Sequence, residues 1–271
     1  FEFLFQSLIN TIFRLRQSVK KRFIQKVENN IFISGEFFEE ISKKNSNIVF
    51  SSLDNFPLKK DYPKYKKKIW IFHNSDETFD LDAKKKLDHF HPKKCFSQNL
   101  IIYKKNYHFI PIGIENSKLH NNGDIKDFLK LRKIKLRKKP RILFGFKNTN
   151  PERVQLKYRF RKLQITDETS GWNSFFYRRI LQNYMFVICP EGNGIDTHRM
   201  WEALYLRTIP IIKKNIISNF IKKAKIPVLI LNKWSDLSKF DEKQLQKFYF
   251  SKKKLFNNRY LFQDYWKKRI T

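Results

Sequence analysis

An α/β fold built on parallel strands is what this chain's pattern predicts, and two observations carry the prediction. Short apolar runs with the length and bulk of buried strands alternate with longer stretches of helical character. Glycine, proline and helix-capping residues gather just after those runs, where a parallel strand gives way to its crossover helix. In open sheets of this kind ligands sit beyond the C-terminal ends of the strands, so the residues there are the ones to search for chemistry.

In chain order, residues 1–27 read as an amphipathic helix, with Leu4, Leu8, Ile12 and Leu15 on one side and Arg14, Arg16, Lys20 and Lys21 flanking them. Such a helix either lies on an anionic membrane surface or packs on the first domain. Ile31–Ser34, Ile48–Ser51 and Ile69–Phe72 read as buried strands, with a helix starting at Gly35. After the third strand comes His73-Asn74-Ser75-Asp76-Glu77. Ser75 or Asp76 can cap a following helix there. Equally, His73, Asp76 and Glu77 are each able to take a proton from an attacking hydroxyl. His89, His91 and Cys95 lack a second pair at ligand spacing and read as a loop, so no metal site is predicted. Residues 109–116 read as a strand ending in a turn, and residues 127–139 as a basic helix ended by Pro140. The domain boundary falls near Arg132–Lys139.

The second half opens with a strand at Arg141–Phe146, then Lys147-Asn148-Thr149-Asn150-Pro151-Glu152-Arg153. Asn150 suits an N-cap and Pro151 the first helical turn, a geometry that also suits an anion. A helix over Ser174–Asn183 carries Arg178 and Arg179, either of which could face the cleft. Tyr184–Ile188 is a buried strand, and Cys189-Pro190-Glu191-Gly192-Asn193-Gly194 interrupts regular structure after it. Asp196 or Thr197 caps the next helix, whose first turn holds His198 and Arg199. Glu202, three residues after Arg199, shares its face. A glycine loop feeding a helix N-terminus is a ready anion site. A cation for phosphate and a carboxylate for sugar hydroxyls, one turn apart, suit a nucleotide. Strands at Thr208–Ile212 and Pro227–Leu231 follow, then helices over 216–223 and 241–257.

This segment resembles the C-terminal signature of exostosin-like glycosyltransferases. There a Gly-rich loop runs into Asp-x-x-Arg-x-x-Glu-Ala and a Pro-containing strand, here Asp196, Arg199, Glu202, Ala203 and Ile209-Pro210-Ile211-Ile212. The resemblance is specific over about 25 residues and looser over about 120. It implies a GT-B fold: two Rossmann-like domains with parallel sheets facing across a cleft, the C-terminal one holding a nucleotide-sugar. It implies that Arg199 meets the donor diphosphate and Glu202 the ribose, with Lys147, Asn150, Arg153, Gly192, Asn193, Gly194, Thr197 and His198 around the donor. One of His73, Asp76, Glu77 or Asp196 would act as the base, and Glu115 and Asn116 would lie near the cleft. Two departures stand out. Arg207 occupies the position where the family has Gly, which weakens the expectation of a tight turn, and Lys233 replaces an acidic residue before Trp234.

Composition bounds the rest. The 271 residues are 41% apolar, with 28 Phe, enough to fill real cores. Two cysteines make no disulfide framework. The net charge of +32 fits nucleic acid, an anionic membrane surface, or a base-composition bias that raises Lys, Asn, Ile and Phe together. The lysines are spread along the chain, and the chemistry-bearing residues gather at strand ends rather than along a basic aromatic stripe, which argues against nucleic acid. No apolar run reaches the roughly 20 residues of a membrane span and no signal peptide is visible, so the expected place is the cytoplasm, at most peripheral to the inner face of the membrane.

The expectation is a GT-B glycosyltransferase. Residues 1–135 bind a glycan or lipid-linked glycan acceptor, residues 136–257 bind the nucleotide-sugar, and residues 258–271 can cross back to the first domain. The nucleotide-sugar is a co-substrate, and no further cofactor is expected. A basic polyanion-binding protein and a catalytically inactive relative are the alternatives.

Overall fold

Alternating apolar runs and capped helices produce two parallel sheets. The computed structural model describes residues 32–102, 104–117, 123–149, 151–169 and 173–271. The helix expected over residues 1–27, the cap at Asn150 and the turn at Gly171 lie outside the described residues. The first sheet contains β1 (Ile48–Ser51), β2 (Ile69–Phe72), β3 (Lys94–Ser97) and β4 (Tyr107–Phe109), in the order 1-2-3-4 and all parallel. Its register pairs Ser51 with Phe72, Phe72 with Ser97 and Ser97 with Phe109. The four strands therefore end level, and the residues after each one meet along a single edge.

The second sheet contains β5 (Lys139–Phe144), β6 (Thr166–Glu168), β7 (Tyr184–Ile188), β8 (Ile209–Lys213) and β9 (Leu229–Leu231), in the order 6-5-7-8-9 and again parallel. The central strand β7 is buried along its whole length, as a strand covered on both faces must be. The crossovers include α1 (Gly35–Lys43), α2 (Tyr62–Tyr65), α3 (Leu81–Asp88), α4 (Ile125–Lys133), α5 (Pro151–Arg161), α6 (Ser174–Leu181), α7 (His198–Tyr205) and α8 (Ser218–Lys223). Then come α9 (Glu242–Lys252) and α10 (Gln263–Ile270). Side-chain caps define several starts: Ser34 on α1, Asp80 on α3, Asp124 on α4 and Asn173 on α6. The architecture is α/β with two parallel sheets, compatible with two Rossmann-like halves, and Phe32–Thr271 form one compact unit. Among the described residues no helix is long and apolar enough to cross a membrane.

The chain departs from its sequence pattern in five places. The strand expected over residues 109–116 is shifted back to Tyr107–Phe109, and beyond it only Ile114 makes a single bridge. Cys95 sits in β3, between β2 and β4, where a loop was expected. Phe32 and Ser34 form single bridges to Phe262 and Ile114 rather than a full strand. β6 is a polar three-residue strand with no apolar signal. Pro140 lies inside β5 instead of ending a helix, and α4 stops at Lys133. A register shift between Lys139 and Ile142 accommodates a residue that cannot donate to the ladder.

Helix α10 belongs physically to the first sheet. Trp266 and Ile270 are buried with Ile33, Phe38, Ile48 and Ile71. Gln263 Nε2 donates to the Phe32 carbonyl at 2.9 Å and Trp266 Nε1 to that of Tyr260 at 3.0 Å.

The turn at Arg207 is tight even without glycine. Arg207 N–H donates to Leu204 O at 3.1 Å and Thr208 N–H to Ala203 O at 2.8 Å, ending α7 with Arg207 at φ 57°. A side chain in this left-handed region is strained. The Arg207 charge also works against two neighbouring cations. Burial, followed by Arg207, lowers the Lys138 pKa to about 7, and the same two causes lower that of Arg132 to about 10. Arg207→Gly should therefore raise stability by about 1 kcal/mol, read as a higher denaturant midpoint at unchanged slope. A lower midpoint would show that the strain is absent.

Candidate functional site

The level strand ends of the first sheet build a polar cavity of about 410 Å³. Asp54 follows β1, Asn74 to Glu77 follow β2, Gln98 follows β3, and Ile112, Glu115 and Asn116 follow β4. His198, at the start of α7, closes the wall from the second sheet. Amides hold the frame. Asn74 takes a left-handed φ of 60°, which an Asn side chain tolerates. Its N–H donates to Gln98 Oε1 at 3.1 Å, and its own Oδ1 accepts from Asn116 Nδ2 at 3.0 Å. Asn116 Oδ1 accepts the Glu36 N–H at 2.9 Å, and Gln98 Nε2 donates to the Ser75 carbonyl. With the amides so occupied, the carboxylates of Asp54, Asp76, Glu77 and Glu115 give the cavity its charge.

Of the four residues expected to supply a base, Asp76 and Glu77 line this cavity. Asp76 Oδ2 accepts from Asn193 Nδ2 of the glycine loop at 3.1 Å. His73 does not line it. It is buried against the Phe38 ring, with Nε2 3.2 Å from the Pro111 carbonyl, and burial lowers its pKa to about 4. It is a neutral spacer between β2 and the segment after β4.

Asp196 is also turned inward. Its Oδ2 accepts the Ile112 N–H at 2.8 Å, its Oδ1 accepts Trp201 Nε1 at 2.8 Å and the Thr197 N–H at 2.9 Å, and its own N–H donates to Asn99 Oδ1 at 2.9 Å. Burial still pushes the carboxyl up to about 6 against the hydrogen bonds that favour its charge. It fastens the second half's glycine loop to the first sheet and is closed to an acceptor. Thr197 is the N-cap residue of α7, but its side chain makes no capping bond. The loops pack so closely that a Cβ on Gly194 would lie 2.8 Å from Asn99 Nδ2. Across the loop, Gly192 N–H donates to Gly194 O at 3.1 Å.

Helix α7 presents the remaining expected residues. His198 Nδ1 lies 2.9 Å from the Gly113 carbonyl; a carbonyl only accepts, so Nδ1 carries a proton. Arg199 Nη1 donates to Tyr177 Oη at 2.7 Å and to the Gly145 carbonyl, with the guanidinium 4.9 Å above the Tyr177 ring. Burial works against its charge, but Tyr177, Cys189 and Glu202 outweigh burial and raise its pKa. Burial raises the Glu202 carboxyl, while His198, Arg199 and Arg178 pull the other way and Glu115 adds to the rise.

Other expected contacts are engaged elsewhere. Arg153 Nε donates to Glu191 O at 2.9 Å, Nη2 to Pro190 O at 3.2 Å and Nη1 to Lys147 O at 3.3 Å, so it ties two strand-end loops together. The Lys147 side chain is exposed. Arg178 and Arg179 both grip Asp127, at 2.8 Å each, and fix α6 to α4. Beyond β8 the edge is closed: Lys213 pairs with Glu152 at 2.5 Å and Asn215 donates to Glu191 at 2.9 Å, around a cavity of about 10 Å³. That space holds roughly one water. Among the described residues no group of three or more His, Cys, Asp or Glu is placed to hold a metal ion.

The pattern missed Asp54, Gln98 and Asn99. The signal for the last two was Cys95-Phe96, whose apolar pair marks β3 and would have put Gln98-Asn99 at a strand end. A scan against protein-family models finds no match to the chain, and neither does a search of curated proteins.

Two outcomes follow from the buried groups. Asp196→Ala leaves Ile112 N–H and Trp201 Nε1 unpaired and should cost about 3 kcal/mol or more, whereas Asp76→Asn and Glu77→Gln should stay within about 0.5 kcal/mol by chemical denaturation. The second concerns pH. The unfolded chain protonates His73 near 6.5 and the folded chain only near 4, so the His73 contribution is complete above 6.5 and is lost as pH falls to 4. Asp196 has the opposite sign: folded near 6 against 3.8 unfolded, it adds stability as pH falls from 6 towards 3.8. The stability difference between wild type and His73→Gln should therefore shrink by about 3 kcal/mol from pH 7 to pH 4. A flat difference would show that His73 is not held neutral.

Proposed function

We propose that the chain is a glycosyltransferase of the exostosin-like, GT-B kind, moving a sugar from a nucleoside-diphosphate sugar to a glycan hydroxyl. The observation that carries this reading is the position of α7. Its first turns set His198, Arg199 and Glu202 beside a glycine loop, and Glu202 lies within electrostatic reach of both His198 and Glu115, which line the carboxylate cavity of the first sheet. Donor-type and acceptor-type groups thus adjoin.

Arg199 suits the leaving diphosphate because its hydrogen-bond partners are a carbonyl and a phenol, and Glu202 acts on its charge without a hydrogen bond to it. By contrast Arg141, Arg161, Arg178 and Arg179 each pair with a carboxylate. As the sugar–phosphate bond breaks, negative charge grows on the diphosphate, and a preplaced guanidinium stabilises it without reorganising. Glu202 takes the ribose hydroxyls. The acceptor hydroxyl loses its proton to a carboxylate that opens on the cavity, which narrows the base to Asp54, Asp76, Glu77 or Glu115. Inversion and metal independence belong to the same proposal, as do a lipid-linked acceptor and a setting at the cytoplasmic face of a cell envelope. The carboxylate lining disfavours nucleic acid within the cavity itself.

Calorimetry with UDP and GDP tests the donor side. One diphosphate should bind with micromolar to submillimolar affinity, and Arg199→Ala should weaken it at least tenfold, about 1.4 kcal/mol. If neither binds and a short oligonucleotide binds tightly and salt-sensitively, the basic surface is the function and the transferase reading fails. On the acceptor side, one of Asp54→Asn, Asp76→Asn, Glu77→Gln or Glu115→Gln should lower transfer about a hundredfold or more while leaving nucleotide affinity intact. Activity preserved in all four would remove the carboxylate base.

A further inference from the structure

A second cavity, of about 370 Å³, shares no lining residue with the carboxylate cavity. It lies between the end of the first sheet, α8 and the C-terminal segment. Its walls are apolar and aromatic, with Leu100, Phe109, Phe220, Ala224 and Trp266. The Phe220 ring sits 4.9 Å from Phe109, 5.7 Å from Tyr260 and 6.1 Å from Trp266. Among the described residues no Asp or Glu lines it. The rim instead carries exposed Lys223 and Arg269, with Arg269 Nη2 3.3 Å from His108 Nδ1. Arg259 adds a third cation over the Tyr260 and Tyr265 rings, at 5.3 Å and 5.2 Å.

We propose that this groove binds a lipid phosphate, its hydrocarbon chain on the aromatic walls and its head between Lys223 and Arg269. The size is that of a small-molecule site. The sign of the rim selects the occupant. A second copy of the chain carries +32 overall, and residues 1–31 hold six Lys or Arg against two Glu, so both bring positive charge to a positive rim. An anionic head is attracted, and an alkyl chain matches walls that would otherwise hold poorly bonded water. Burial, followed by Arg269 and Lys94, lowers the His108 pKa, which keeps its ring an uncharged part of the wall. The proposal stands whether or not the cavity of the first sheet proves to be catalytic.

The test uses the full chain and amphiphiles below their micelle concentrations, followed by calorimetry. Decyl phosphate should saturate one site per chain, and octyl phosphate should bind roughly fifteenfold more weakly, about fourfold for each methylene removed. Inorganic phosphate and decyltrimethylammonium should show no saturable binding. Lys223→Glu with Arg269→Glu, both exposed, should weaken decyl phosphate at least tenfold, and Ala224→Trp should abolish binding by filling the groove. Equal binding of the cationic amphiphile, inorganic phosphate as tight as decyl phosphate, undiminished affinity in the charge-reversed chain, or no binding at all would each overturn the proposal.

Discussion

The buried carboxylate of Asp196 is the constraint on which the rest depends. One oxygen takes a backbone N–H from the segment after β4, the other an indole and a backbone N–H of its own helix start. Three donors on one carboxylate in a dry interior make a joint with a single geometry, because any rotation strands a donor without water to replace its partner. Asn99, after β3, holds the same residue through its N–H. Loops from three strand ends thereby share one anchor. The start of α7 is fixed by it, and with that start go His198, Arg199 and Glu202. Ile112 is fixed by it too, and the next residue supplies the carbonyl that orients the His198 ring.

Local features of the fold were legible in the sequence, and contacts across the chain were not. Ile48–Ser51, Ile69–Phe72 and Tyr184–Ile188 stand out because unbroken apolar bulk is flanked by polar or turn residues, and the structure keeps those bounds. β3 was hidden because Lys94 opens it and only two apolar residues follow. β6 was hidden because its Thr-Asp-Glu side chains face ion pairs such as Arg141 with Asp167 instead of a core. Pro140 reads as a stop in any one-dimensional pattern, since the register shift that admits it exists only between two strands. Among the site residues, Asp76, Glu77 and His198 could be singled out because each follows a strand or opens a helix. Asp196 looked equally reactive. Its partner Ile112 lies 84 positions away, a pairing that no spacing rule reports. His73 shows the same limit from the other side: a histidine at a strand end resembles a base until Phe38 and Pro111 are seen to bury it.

Charge is distributed against the average. The chain as a whole carries +32, yet four carboxylates line the cavity at the end of the first sheet. A strongly basic surface raises the local concentration of anions around the molecule. The acidic lining reverses that sign over a few ångströms, so a phosphate-bearing ligand is drawn to the protein and then turned away from this wall. The place left for it is the Arg199 side, where a half-buried cation has a carbonyl and a phenol as its hydrogen-bond partners. Specificity of orientation here would come from repulsion as much as from attachment.

The burial of Trp266 and Ile270 in the core of the first sheet has a consequence for synthesis. Strands β1 to β4 are all made before residue 110, but the apolar face they share with α1 lacks its last cover until the chain has been extended by about 160 more residues. A nascent chain therefore cannot finish the half it makes first. The second sheet, whose strands lie between residues 139 and 231, gains its cover of Leu245, Tyr249, Phe256 and Leu261 first, and the first waits beside it with Phe38 and Ile71 partly uncovered. Exposed apolar surface of this sort recruits chaperones or neighbouring chains, so the interval before α10 leaves the ribosome is when this molecule is most open to misassembly.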